Sequence, residues 1–186
     1  MNRIRWVWTG AVAVLLAAVS VAHAGQWQDL HRPLHLSALA SGEACPVSSV
    51  DQRIDWLALH IFGDAGIGSG PVYPGLGPDS HLNTFGEGVN GWFGTKVFWY
   101  ARPRYRGPVL IRGRRLDGTD RLRFTAQGSR SSELRMPVGK SVQWPGQPPK
   151  ARGKPSGVSI RASGCYGVQI DGTSFSRVVV FSASLP

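Results

Sequence analysis

The sequence predicts a mainly all-β chain built from antiparallel hairpins, with one short helix on its N-terminal side. Two observations carry this reading. In the stretch from Gly164 to Phe181, Tyr166, Val168 and Ile170 alternate with Cys165, Gly167, Gln169 and Asp171. A period of two puts an apolar row on one side of an extended strand and small or polar groups on the other. Asp171-Gly172 then supplies residues that tolerate the left-handed conformations of a tight turn, and Val178 to Phe181 follows as a continuous β-branched and aromatic run. Upstream, further short apolar runs are punctuated by Gly, Pro and Asp-Gly, with no internal repeat and no second domain.

Taken from the N-terminus, Arg3 and Arg5 precede the uncharged run Ala11 to Val21 and the small-x-small exit Ala22-His23-Ala24. A positive start, an apolar centre and such an exit are the parts of a secretory signal peptide, with cleavage expected after Ala24. The alternative is an uncleaved anchor, because Trp6 to Ala24 nearly reaches the roughly 20 residues that span a bilayer. No Cys follows the apolar run, which argues against a lipid-modified N-terminus. Cleavage leaves 162 residues, one domain's worth, with no further membrane span expected. We divide the chain into a signal peptide at 1–24, an irregular leader at 25–44 and one domain at 45–186. The expected location is the cell envelope or the extracellular space.

Charge is unevenly placed. Gly25 to Thr95 holds two basic and seven acidic residues, whereas Lys96 to Pro186 holds seventeen basic and four acidic ones, thirteen of them arginine. Either the halves partly neutralise each other or the basic half faces an anionic partner. Two cysteines in an exported chain most simply form one disulfide, Cys45 to Cys165, closing most of the domain. Loop entropy assigns such a bridge up to about 4 to 5 kcal/mol. Cys165 faces away from Tyr166, so the bridge should staple the N-terminal segment to the outside of the final hairpin. A nucleophilic or metal-binding Cys is disfavoured because neither has a His or Cys neighbour at ligand spacing.

The leader carries His31 and His35 four apart, but Pro33 between them opposes a helix and no acidic residue completes a zinc-protease pattern, so no metal site is expected. Ser49 to Gln52 matches a capping box, and Ile54, Leu57, Ala58, Ile61 and Phe62 form a helical stripe ending at Gly63. A strand over Trp56 to Phe62 competes with that helix. Ten glycines and three prolines lie between Gly63 and Gly94. A dinucleotide-binding loop is a poor match there, since no βαβ unit surrounds the glycines and Pro71 stands where a helix should open. No cofactor is expected. A long loop with one extended piece at 70–73 is predicted instead, offering Tyr73, His81, Phe85, Trp92 and Phe93 as stacking surfaces.

Lys96 to Arg102 has large apolar groups on both faces, as in a strand covered on both sides or one displaying aromatics. Arg106 to Leu116 reads as a strand turning at Asp117-Gly118 into Arg121-Leu122-Arg123-Phe124. Arg112 and Arg114 share a face that Arg121 and Arg123 could extend into a basic stripe. Glu133 to Pro137 is a short edge strand, Trp144 to Pro155 a proline-rich loop, and Val158 to Arg161 leads into the final hairpin.

Gly70 to Pro74, Lys96 to Trp99, Arg106 to Gly118 and the block from Gly164 to Phe181 resemble small exported bacterial β-sandwich proteins without an assigned activity. The resemblance covers roughly Cys45 to Ala183. It implies an antiparallel β-sandwich, immunoglobulin-like in style, lying outside the cytoplasm, and it supplies no catalytic residues.

Three functions follow as expectations. The first is a non-enzymatic binding or structural domain that uses Arg112, Arg114, Arg121, Arg123, Tyr73, Trp92 and Phe93 to hold another exported protein or macromolecule. The second is charge-driven attachment to an anionic envelope polymer or lipid surface, since the planar arginine fork matches phosphate and carboxylate. Nucleic acid is disfavoured by export. The third is a hydrolase, for which His60 and His81 have acidic sequence neighbours but no nucleophile elbow or metal pattern.

Overall fold

A computed structural model describes residues 26–59, 65–86, 89–126, 128–138 and 151–186. The expected signal segment, most of the expected proline-rich loop and His60 lie outside the described residues. Ten strands run in order: β1 (Val72–Gly75), β2 (His81–Asn83), β3 (Phe93–Ala101), β4 (Val109–Arg115), β5 (Arg123–Ala126), β6 (Ser129–Ser131), β7 (Glu133–Met136), β8 (Arg152–Ile160), β9 (Gly164–Gly172) and β10 (Phe175–Ser184). They form two five-stranded sheets, β1-β3-β8-β5-β6 and β2-β10-β9-β4-β7, antiparallel except where β2 joins β10 in parallel. This is the all-β sandwich.

Period-two alternation builds the core. Tyr166, Val168 and Ile170 of β9, Val179 and Phe181 of β10, and Val109 and Ile111 of β4 meet Val97, Trp99, Phe124, Val158 and Ile160 from the opposite sheet. The indole Nε1 of Trp99 donates to Ser156 Oγ at 2.9 Å, so its one polar atom is satisfied inside the core.

β3 is covered on both sides. Its opposite face, Phe98 and Tyr100, packs with Trp56, Leu59, Tyr73 and Ala151 in a second apolar cluster. Trp56 meets Tyr73 edge-on at 5.1 Å and Tyr100 at 5.8 Å. Gly153 of β8 lies under the Phe98 ring, where any side chain would overlap it.

The leader is ordered as a strap over the outer face of β4, β9 and β10. After one helical turn at 26–28 it runs without regular structure, burying Leu30 and Leu36. Leu36 and Leu116 pack against Cys165, with Leu39, Cys45 and Val180 beside them. Cys45 and Cys165 are disulfide-bonded, so the bridge fastens the strap to the outside of the final hairpin as expected from the strand parity. Polar groups that would otherwise be stranded on the outer face find partners in the strap. Gln169 accepts from His35 N at 2.7 Å and donates to Pro33 O at 3.0 Å.

Five local expectations are corrected. The helix at 49–62 is absent among the described residues, where 52–59 forms turns. The Asp51 carboxylate serves a tertiary contact there, accepting from Arg53 Nε, Arg53 Nη2 and Tyr73 OH at 2.7 Å each. The glycine-rich loop contains two strands, because β1 pairs with β3 and β2 with β10. Asp117-Gly118 does not close a two-stranded hairpin: β4 and β5 belong to different sheets, joined locally by the single bridge Arg114 to Arg121. The tight turn of the final hairpin sits two residues later than expected, at Thr173-Ser174, with Gly172 facing Phe175. β8 begins at Arg152 and includes Pro155. β5 pairs with β8 only over Gly157 to Ser159, so Pro155 has a neighbouring strand on one side, where a missing N–H is tolerated.

Candidate functional site

Side-chain parity assembles a cluster at one end of the β1-β3-β8-β5-β6 sheet. Phe124 of β5 points into the core, so Arg123 and Thr125 point outward. Thr125 pairs with Arg130 of β6, and Arg123 pairs with Ser159 of β8. Ile160 is in the core, which turns Arg161 outward. Phe93 pairs with Ile160, so the next step along both strands sets Trp92 beside Arg161. A 3₁₀ turn at Val89–Gly91 delivers Trp92 to this position, with Asn90 (φ 59°) and Gly91 (φ 71°) in the left-handed region that reverses the chain before β3.

The guanidinium groups gather around the indole. Their central carbons lie 4.6 Å (Arg161), 5.5 Å (Arg130) and 6.0 Å (Arg123) from the Trp92 ring centroid. Each such contact contributes about 0.5 to 1 kcal/mol at an exposed site. With Thr119, Asp120 and Arg121 these residues line an open cavity of about 570 Å³. The one carboxylate in the lining already has a partner: Asp120 Oδ2 accepts from Arg115 Nη1 at 3.0 Å, while Arg115 Nε binds Asp117 at 2.7 Å. Among the described residues, Arg121, Arg123, Arg130 and Arg161 have neither an ion pair nor a side-chain hydrogen bond. Among the described residues the site is therefore a concentration of unneutralised cations, three of which gather around one indole.

The candidates named from the sequence separate into two groups. Trp92, Arg121 and Arg123 meet in this cavity. Arg112 donates through Nη2 to Asp171 Oδ2 at 2.8 Å and to Arg32 O at 2.6 Å, and Arg114 donates to Leu36 O. Both are engaged beneath the strap, on the other sheet. Tyr73 is fully buried and donates its hydroxyl to Asp51; burial and that bond push its pKa far above the usual phenol range. Phe93 is half-buried at the start of β3 and is not among the residues lining the cavity. His81 lies on β2, with Nδ1 2.7 Å from Ser182 Oγ and Nε2 3.1 Å from Ser184 Oγ.

Arg130 and Arg161 are the members that the sequence did not single out. A strand parity signal existed for Arg161, immediately after the apolar Val158 and Ile160. Nothing local links it to Trp92, because that contact depends on the β3–β8 register.

No family model matches the chain, and no curated protein matches it. Among solved structures it is similar to the ASH / PapD-like domain of human CEP192 (PapD-like domain 7), at 7% identity and a TM-score of 0.34, covering 83% of this chain and 96% of that one. At that level the likeness carries no argument about function.

Proposed function

We propose that the protein is an exported, non-enzymatic binding domain that holds an anionic polymer of the cell envelope through the Trp92 cavity. The observation that carries this reading is the set of arginines around one indole with no carboxylate of their own among the described residues. Cations left unpaired in an open, hydrated cavity are available to a ligand, whereas cations inside an ion pair must first be released. Export is supported by the charged start, apolar run and Ala22-His23-Ala24 exit of the sequence. It is also compatible with the Cys45–Cys165 disulfide and with the absence, among the described residues, of a helix long and apolar enough to cross a membrane.

The test is retention of the oxidised protein on isolated envelope polymer across a salt series. Retention should fall as salt rises, and the double variant Arg130→Gln/Arg161→Gln should elute at clearly lower salt than the wild type. Arg177→Gln, which removes one exposed charge on β10, should behave nearly as wild type. Equal elution of the double variant and Arg177→Gln would overturn the assignment to this cavity.

A further inference from the structure

Resting on the reading above, we propose that the group this cavity recognises is phosphoryl, and that it accommodates two adjacent phosphoryl groups in preference to carboxylates. A guanidinium that stacks on an aromatic ring uses its face. Its N–H donors lie in the plane of the group and remain open around the edge. Here three guanidinium groups, from β5, β6 and the end of β8, have their central carbons 4.6 to 6.0 Å from the centroid of a single ring. Their donors thus come from three directions. A carboxylate offers two coplanar oxygens and satisfies one fork; a tetrahedral phosphoryl group offers oxygens out of plane and can accept from several forks at once.

Charge points the same way. Arg121, Arg123, Arg130 and Arg161 face a lining whose single carboxylate, Asp120, is held by Arg115 at 3.0 Å. One monoanion leaves most of that charge unmatched, whereas linked phosphoryl groups carry several negative charges over a short span. A cavity of about 570 Å³ has room for more than one such group, and its open mouth lets the remainder of the ligand continue into solvent. Among the described residues Trp92 is the one aromatic residue in the lining, and three cations lie around its ring, so a ligand base or sugar would compete with them for that platform. Trp92 is accordingly a positioning residue: it sets the three arginines and need not touch the ligand.

The experiment is calorimetric titration of the oxidised full chain at low salt with inorganic pyrophosphate, and with citrate as a carboxylate of comparable charge. Pyrophosphate should bind about tenfold more tightly than citrate, and Arg161→Gln and Arg130→Gln should each weaken it by about tenfold. Trp92→Leu should weaken pyrophosphate similarly, while Trp92→Phe, which keeps an aromatic face, should restore most of the affinity. Circular dichroism of each variant confirms that the fold is retained. Citrate binding as tightly as pyrophosphate would overturn the phosphoryl assignment and leave the anionic-polymer reading standing. Binding of neither anion would overturn both. Pyrophosphate binding unchanged by Arg130→Gln and Arg161→Gln would place the anion elsewhere and also overturn the proposal. Two competitors identify the source of the group: displacement of pyrophosphate by long-chain polyphosphate supports a phosphorylated polymer, and displacement by phosphatidylglycerol vesicles supports a lipid headgroup.

Discussion

Arginines on the outer face of β4 and arginines around Trp92 are the same side chain on opposite sheets of one sandwich, and they serve opposite ends. On β4, the strap closes over Arg112, whose guanidinium is met by the fully buried Asp171 and by Arg32 O. Around Trp92, strands β5, β6 and β8 turn their arginines to water, and stacking on the indole takes the place of ion pairing. A covered cation is costly unless paired and becomes structure, whereas an uncovered one is hydrated and remains free for a partner. Arginine content therefore says little about where a ligand binds; the cover decides it.

The largest expected effect breaks the covered side. Asp171 accepts from Arg112 at 2.8 Å, from Ser176 Oγ at 2.7 Å and from Gln169 Nε2 at 3.0 to 3.1 Å, with Arg32 3.7 Å away. Asp171→Ala strands those donors beneath the strap and should cost about 3 to 5 kcal/mol in urea unfolding. Arg161→Gln, by contrast, should cost no more than about 1 kcal/mol, the size of one exposed cation-ring contact. A comparable loss in both variants would show that covered and uncovered arginines do not differ in this way.

Opening the disulfide comes next. Cys45→Ala/Cys165→Ala removes a link across 120 residues and should cost about 2 to 4 kcal/mol. It should also make the strap between Leu30 and Cys45 an early site of limited proteolysis. Anion binding at Trp92 should persist wherever the variant remains folded, because the strap lies on the other sheet.

A smaller effect concerns pH. Hydrogen bonds from Arg53 and Tyr73, opposed by burial, hold the Asp51 carboxyl well below the usual carboxylate range. Its ionised form is thus favoured in the folded state. That contribution is fully present above the unfolded-state value of about 3.9 and is lost as pH falls from there toward the depressed folded value. Asp51→Asn should flatten the acid side of a urea-midpoint profile below about pH 4 and leave the shape of the neutral region unchanged. An unaltered acid limb would show that Asp51 does not carry this linkage.

Much of the fold was legible because its signals are local. Tyr166, Val168 and Ile170 on one side and Cys165 on the other forecast both the core face of β9 and the external position of the bridge. β7 was read as an edge strand from Pro137, and it is one. Where the reading failed, a local signal met a stronger distant partner. Ser49 to Gln52 has the sequence of a helix cap, but Asp51 within it is claimed by Tyr73, 22 residues away. Asp117-Gly118 has the look of a hairpin turn, yet the chain uses it to pass from one sheet to the other. For the site, Trp92, Arg121 and Arg123 were named, while Arg130 and Arg161 were not, and Arg112 and Arg114 were named without the strap that occupies them.

By itself, the sequence determined the all-β class, the inward row of β9 and the pairing of its two cysteines, because a period of two and a count of two need no knowledge of distant neighbours. Tertiary structure alone decided which arginines are covered and which surround Trp92. Those outcomes depend on strand order and on a β3–β8 register linking residues more than sixty positions apart, and closure of such distant contacts is a property of the whole packed sandwich.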